Sequence, residues 1–160
     1  GSFSKSIATG LRAGWGQGQE DVIRSLSFLR FDMGQTPLVH RALADFVNSG
    51  KMDKHVSKMR PVYAEKAEIL TQSLAEHCEP WLTFSQPDGG FFLWVETHGI
   101  EAEKVYEEAA QEGLLFPVGR GFFLDRQDTT HLRMAFCTAS VDQLQEVGPR
   151  LRTAISRAVS

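Results

Sequence analysis

A chain of 160 residues, 42% apolar and 23% charged, has the balance of one folded domain and not of a disordered tail. Its apolar runs, such as residues 89–95, fall far short of the roughly 20 residues a membrane helix needs, and no basic-then-apolar leader opens the chain. A net charge of −3 supplies no basic field for direct nucleic-acid binding, while Cys78 and Cys137 stand too far apart for a Cys-x-x-Cys, which weighs against a zinc knuckle or disulfide framework and points to a reducing cytoplasm.

Residues 1–19 are glycine-rich and too permissive to stand alone; they read as loop with a short strand at residues 11–15, and as the interior of something larger. Helical spacing of Val22, Ile23, Leu26, Leu29 and Phe31 predicts a helix over residues 20–33, stopped by Gly34. The next helix opens with Thr36 as N-cap and Pro37 in its first turn, and Gly50 supplies a left-handed stop. Over residues 52–79, Met52, Val56, Met59, Tyr63, Ala67, Leu70 and Leu74 form one stripe, with a kink or a start expected near Pro61.

Beyond Pro80 the character changes. Residues 81–85 and 90–96, joined by turn chemistry, predict a hairpin, and its aromatic residues Phe91, Phe92 and Trp94 are assigned to the core rather than to a channel. A helix over residues 101–112 stops at Gly113, and strands are predicted at residues 114–118 and 131–137. Ser140 and Gln143 form a capping box for a last helix that Pro149 bends early. The fold class is α+β, a small sheet with helices on one face. The five histidines show no metal spacing, and no metal site is expected.

The N-terminal loop gathers Ser2, Ser4, Lys5 and Arg12 among glycines. Hydroxyls, a guanidinium fork and close-approaching backbone suit a phosphate, and a desolvated lysine beside another cation suits attack on a carbonyl; a solvated loop with two ordinary cations satisfies the same composition. Lys5-Ser6 is not a P-loop, because Ser4 stands where glycine is required, and Ser2-x-x-Lys5 lacks the companion motifs of penicillin-recognising enzymes. The glycines at 14, 16 and 18 make no dinucleotide fingerprint.

The run GSFSKSIATGLRAGW, residues 1–15, resembles the cofactor-lysine motif of class I/II aminotransferases of fold type I. PDGGFFLW at 87–94, FPVGRGFF at 116–123 and HLRMAF at 131–136 follow in that family's order, so the resemblance covers nearly the whole chain and is greatest to the 2-aminoadipate aminotransferase-like branch. It implies pyridoxal 5′-phosphate as cofactor, an amino acid and a 2-oxo acid as substrates, and a homodimer. Lys5 would join the cofactor aldehyde as a Schiff base and later move the substrate Cα proton; Ser2, Arg12 and, less directly, Ser4 would hold the phosphate; Arg133 would grip the substrate carboxylate.

Two departures stand out: Thr9 occupies a position where relatives often carry proline, and Val118 separates Pro117 from Gly119. The resemblance also implies a division into residues 1–50, the end of a large cofactor domain, and residues 51–160, the small domain. Family groups that tune the cofactor ring precede the lysine and are not among these residues, so the chain by itself is expected to be weak or inactive. An aminotransferase-like effector domain of a winged-helix transcription regulator is the alternative. As a bare structural module, the chain would self-associate through the apolar faces of residues 20–50.

Overall fold

The computed structural model describes residues 1–29 and 36–160. It divides into two compact units, Gly1–Arg60 and Pro61–Ser160, and the architecture is α+β.

In the first unit the N-terminal loop folds back on itself. Phe3 N–H donates to the Ala13 carbonyl at 3.0 Å and Trp15 N–H to the Gly1 carbonyl at 2.9 Å, around an antiparallel bridge between Ser2 and Gly14. Gly14 is needed at this crossing, since a Cβ there would stand 2.9 Å from the Gly1 carbonyl oxygen. The expected strand at residues 11–15 is not formed. The loop instead makes a 3-10 turn, Thr9–Leu11, and Arg12 takes a left-handed conformation (φ 48°) that turns the chain before it can extend.

Helix α1 (Glu20–Phe28) starts with Glu20 and Asp21 at its positive end and carries an Arg24–Glu20 pair at 2.7 Å. The expected continuation through Phe31 and Met33 to Gly34 lies outside the described residues. Helix α2 (Pro37–Asn48) begins as the sequence implies, the Thr36 hydroxyl accepting from Val39 N–H at 3.4 Å, and Gly50 adopts φ +71° just beyond its end. Val22, Leu26, Phe28, Leu29 and Leu38 are all at least 49% exposed, so these helices leave apolar faces uncovered.

Helix α3 (Lys51–Cys78) runs unbroken past Pro61 and does not restart there. Within the second unit its buried residues are Ala67, Leu70, Thr71, Ser73, Leu74 and Cys78, of which Ala67, Leu70, Leu74 and Cys78 keep the three-and-four spacing of a core stripe. Strands β1 (Leu82–Phe84), β2 (Phe92–Thr97) and β3 (His131–Ala135) form an antiparallel sheet in that order, with Leu93 opposite Met134, Trp94 opposite Arg133 and Val95 opposite Leu132. Strict alternation sends Leu93, Val95, Leu132 and Met134 inward, where they share one core with Val105 and Ala109 of α4 (Ala102–Gln111) and with Leu151, Ala154 and Ile155 of α6 (Val147–Ala158). Each fully buried leucine, isoleucine or valine among them contributes about 1.5–3 kcal/mol.

The strand expected at residues 114–118 is absent. Pro117 has no N–H for a ladder, Leu115 is 76% exposed, and the backbone of the segment pairs with the sheet where Val118 bridges Leu132 and Arg133 N–H donates to the Pro117 carbonyl at 3.0 Å. Val118, the residue that departs from the usual motif, is thus the one making the bridge.

Ser140 and Gln143 form the expected capping box at α5 (Val141–Gln145). The chain then breaks at Glu146 before α6 begins, because Pro149 cannot donate to the Gln145 carbonyl. Ser73 of α3 takes that place: its hydroxyl donates to Gln145 O at 2.7 Å and accepts from Gly148 N–H at 3.0 Å. Gly148 permits the approach, since a Cβ would lie 2.0 Å from the Ser73 carbonyl.

Candidate functional site

Each unit holds part of the constellation named from the sequence. In the first, the left-handed turn at Arg12 brings its guanidinium back over the loop, where it donates to Ser4 Oγ and to the Thr9 carbonyl, both at 3.4 Å. Ser2 Oγ accepts from Ser4 N–H at 3.2 Å. Ser2, Ser4 and Arg12 are therefore linked in one cluster, and Ser4 is part of it rather than facing away. Both hydroxyls serve there as acceptors, which leaves each O–H free to donate to an anion. Arg12 makes no ion pair among the described residues, and the exposed Lys5 makes neither an ion pair nor a side-chain hydrogen bond among them.

In the second unit, the sheet face opposite the core carries Phe92 and Trp94 from β2 and His131, Arg133 and Ala135 from β3. The Arg133 Cζ lies 4.2 Å from the centre of the Phe92 ring and 4.3 Å from that of Phe122, over the face of each. Its Nε is buried without a hydrogen-bond partner, and among the described residues no carboxylate pairs with it. A half-buried guanidinium held by rings and lacking an anion can accept one from solution.

Beside it, His131 stacks on Trp94 (5.3 Å, 19°), and Trp94 meets Phe122 edge-on at 5.6 Å. Asp128, with a side chain only 8% exposed, accepts from His131 Nδ1 at 2.5 Å and from His131 N–H at 3.1 Å. Burial alone would raise the Asp128 carboxyl, but the bonds from the His131 ring and backbone, with the charge of His131 and a bond at Thr130, outweigh it and hold the carboxyl below its usual range. Gly119 lies against this carboxylate: a Cβ there would sit 2.1 Å from Asp128 Oδ2 and 2.6 Å from the His131 Cβ. Close packing on this acid–histidine pair thus accounts for the glycine at 119.

The assignment of Phe92 and Trp94 to the core is corrected. They are 36% and 38% exposed, on the sheet face that carries Arg133, while Leu93 and Val95 between them point inward. Phe91 is half-buried and packs edge-on against Tyr63 at 5.1 Å. Sequence reasoning missed Asp128, Phe122 and Gly119 as a group; the Asp-x-x-His spacing at 128 and 131 was the available signal. A cavity of about 410 Å³ lined by Leu114, Phe116, Met134, Gln143 and Arg150 includes none of the sequence-predicted site residues. Among the described residues no cluster of His, Cys, Asp or Glu suits a metal, and no helix is long and apolar enough to cross a membrane.

Known proteins resemble the chain over almost its whole length. The uncharacterized HTH-type transcriptional regulator YdfD of Bacillus subtilis is 31% identical over 98% of this chain and 34% of its own length. The 2-aminoadipate transaminase of Thermus thermophilus is 26% identical over 97% of this chain and 40% of its own. Among solved structures, the kynurenine aminotransferase of Pyrococcus horikoshii, crystallised in complex with PMP, superposes with a TM-score of 0.91 at 26% identity, covering 99% of this chain and 40% of that one. The α-aminoadipate aminotransferase LysN of Thermus thermophilus, complexed with N-(5′-phosphopyridoxyl)-L-leucine, gives 0.88 at 25% identity, over 99% and 41%. The chain thus spans about two-fifths or less of the length of these proteins. The model of the family described as aminotransferase class I and II matches residues 1–151, and the chain belongs to that family.

Proposed function

We propose that this chain carries the lysine loop and the carboxylate grip of a pyridoxal 5′-phosphate-dependent aminotransferase that moves an amino group between an amino acid and a 2-oxo acid. The observation that carries the reading is the N-terminal donor set, in which Ser2, Ser4 and Arg12 are gathered by hydrogen bonds beside a lysine with no side-chain partner among the described residues. That set fits the cofactor. Two hydroxyls with free hydrogens and a cation suit a phosphate, and an amine held in no ion pair among the described residues suits an aldehyde.

When bound, the cofactor supplies the electron sink that lets an amino acid's Cα proton leave. The rest falls to the chain. Lys5 Nζ takes the proton from Cα and returns it; Ser2, Ser4 and Arg12 fix the phosphate and so the register of the ring; Arg133 orients the substrate carboxylate by a two-point contact, with Phe92 and Phe122 excluding water around it. Residues 1–50 act in this reading as the end of the cofactor domain and residues 51–160 as the small domain, in a cytoplasmic homodimer. Since these residues span 40% of the aminotransferases matched, the 160-residue chain alone is expected to transfer amino groups weakly or not at all.

A second reading follows from the YdfD match: the same residues hold the cofactor or an amino acid as a ligand within a transcription regulator. The test of the first is titration with pyridoxal 5′-phosphate, borohydride reduction and peptide mapping, beside Lys5→Ala. Label confined to Lys5 and lost in Lys5→Ala is expected. Scattered label that survives Lys5→Ala overturns the cofactor role. Turnover of an amino acid and a 2-oxo acid, against binding without turnover, separates the enzyme from the regulator.

A further inference from the structure

We infer that Asp128 is a positioning residue for Arg133, acting through the 3-10 turn Gly119–Phe122 and through His131 to hold the Phe122 ring over the guanidinium. The inference rests on Arg133 being the carboxylate grip. Arginine's side chain is long, and main-chain contacts fix only its root: Arg133 N–H donates to Pro117 O at 3.0 Å, and the neighbouring Leu132 bridges Val118. What fixes the far end is the pair of rings 4.2 and 4.3 Å from Cζ. Phe92 stands on a strand and needs no further support. Phe122 is 45% exposed on a four-residue turn, too short to define its own geometry.

Two routes lead from Asp128 to that ring. Along the first, Asp128 Oδ2 packs on Gly119, the first residue of the turn, where even a methyl group would come within 2.1 Å. Along the second, Asp128 holds the His131 ring by Nδ1 at 2.5 Å, His131 stacks on Trp94 at 5.3 Å, and Trp94 meets Phe122 at 5.6 Å. An Arg120–Glu103 pair at 3.1 Å tethers the same turn from α4, but both side chains are 47% exposed, so this tether is the weaker.

The experiment follows the Arg133 Nε–Hε resonance of the full chain, assigned with Arg133→Lys, before and during titration with 2-oxoglutarate. In the wild-type protein ring currents from Phe92 and Phe122 displace this resonance from that of a free arginine. Asp128→Ala moves it back toward the free value, as does Gly119→Ala from the other side of the contact, and apparent affinity for 2-oxoglutarate falls about tenfold, equivalent to about 1.4 kcal/mol. Asp128→Asn, which keeps one acceptor oxygen for His131, lies between. An unmoved resonance in Asp128→Ala, with its backbone amide spectrum still that of the folded chain, overturns the inference. Where Asp128→Ala fails to fold, an unmoved resonance in Asp128→Asn and Gly119→Ala overturns it equally. A wild-type resonance indifferent to 2-oxoglutarate overturns Arg133 as the grip, a failure distinct from that of positioning, which the ligand-free spectra decide.

Discussion

Replacing Arg133 by methionine asks whether the guanidinium serves the fold or a ligand. In the ligand-free protein its Nε is buried without an acceptor, a cost of about 1–3 kcal/mol that methionine removes. Against that stand two ring contacts, with Phe92 and Phe122 at 36% and 45% exposure, worth about 0.5–1 kcal/mol each at partly exposed sites. Methionine recovers part of this through sulfur–aromatic contact. The balance leaves Arg133→Met within about 1 kcal/mol of wild type or somewhat more stable, whereas breaking a buried structural ion pair costs about 3–5 kcal/mol. Denaturant unfolding followed by tryptophan fluorescence reads the difference. Repeated with 2-oxoglutarate at a hundred times its dissociation constant, the experiment should raise wild-type stability by about 2.7 kcal/mol and leave the variant unchanged. A loss above about 2 kcal/mol without ligand would refute the reasoning, since Arg133 would then be holding its aromatic neighbours together.

Ser73→Ala removes the donor to Gln145 O and leaves the buried Gly148 N–H unpaired, so unfolding should cost about 2–3 kcal/mol less; a change below about 1 kcal/mol would mean the joint between α5 and α6 does not depend on Ser73. Burial pushes the Cys78 thiol to about 12, with Arg152 opposing, so mass spectrometry after iodoacetamide treatment of the native chain at pH 8 should find Cys137 alkylated well before Cys78. Because the folded chain holds the Asp128 carboxyl below its ordinary value of 3.8, its contribution to stability is fully present above that pH and is lost as pH falls below it toward the folded value. Acid unfolding of Asp128→Asn should accordingly flatten below about pH 4 relative to wild type. Parallel curves would contradict the assignment.

The elements legible in the sequence are those whose signals are local. Thr36 with Pro37, Gly50, Gly113 and the Ser140–Gln143 box each fix a helix end through a backbone group a few residues away, and each lies at the end its residue type predicts. The strand predicted at residues 114–118 rests on Leu114, Leu115 and Phe116, an apolar run whose pairing Pro117 prevents; whether a run joins a sheet depends on its neighbour, which no window of sequence contains. The unbroken course of α3 past Pro61 has the same character, since an interior proline costs a hydrogen bond that the rest of a 28-residue helix can outweigh.

The site divides along the same line. Alternation in β3 suffices to place Arg133 opposite the apolar face, because a strand has period two whatever it packs on. Phe92 and Trp94 obey that alternation too, and it points them outward with Arg133; the composition of the strand, rich in aromatic residues, argues for the core and misleads. Aromatic bulk reports how much surface a residue can cover, not which face it is on, so pattern should take precedence over residue type wherever a strand contains a charged neighbour in register. Asp128 carries no such pattern. Its role comes from packing against Gly119 and from the orientation of His131, contacts across a loop that only the folded chain brings together.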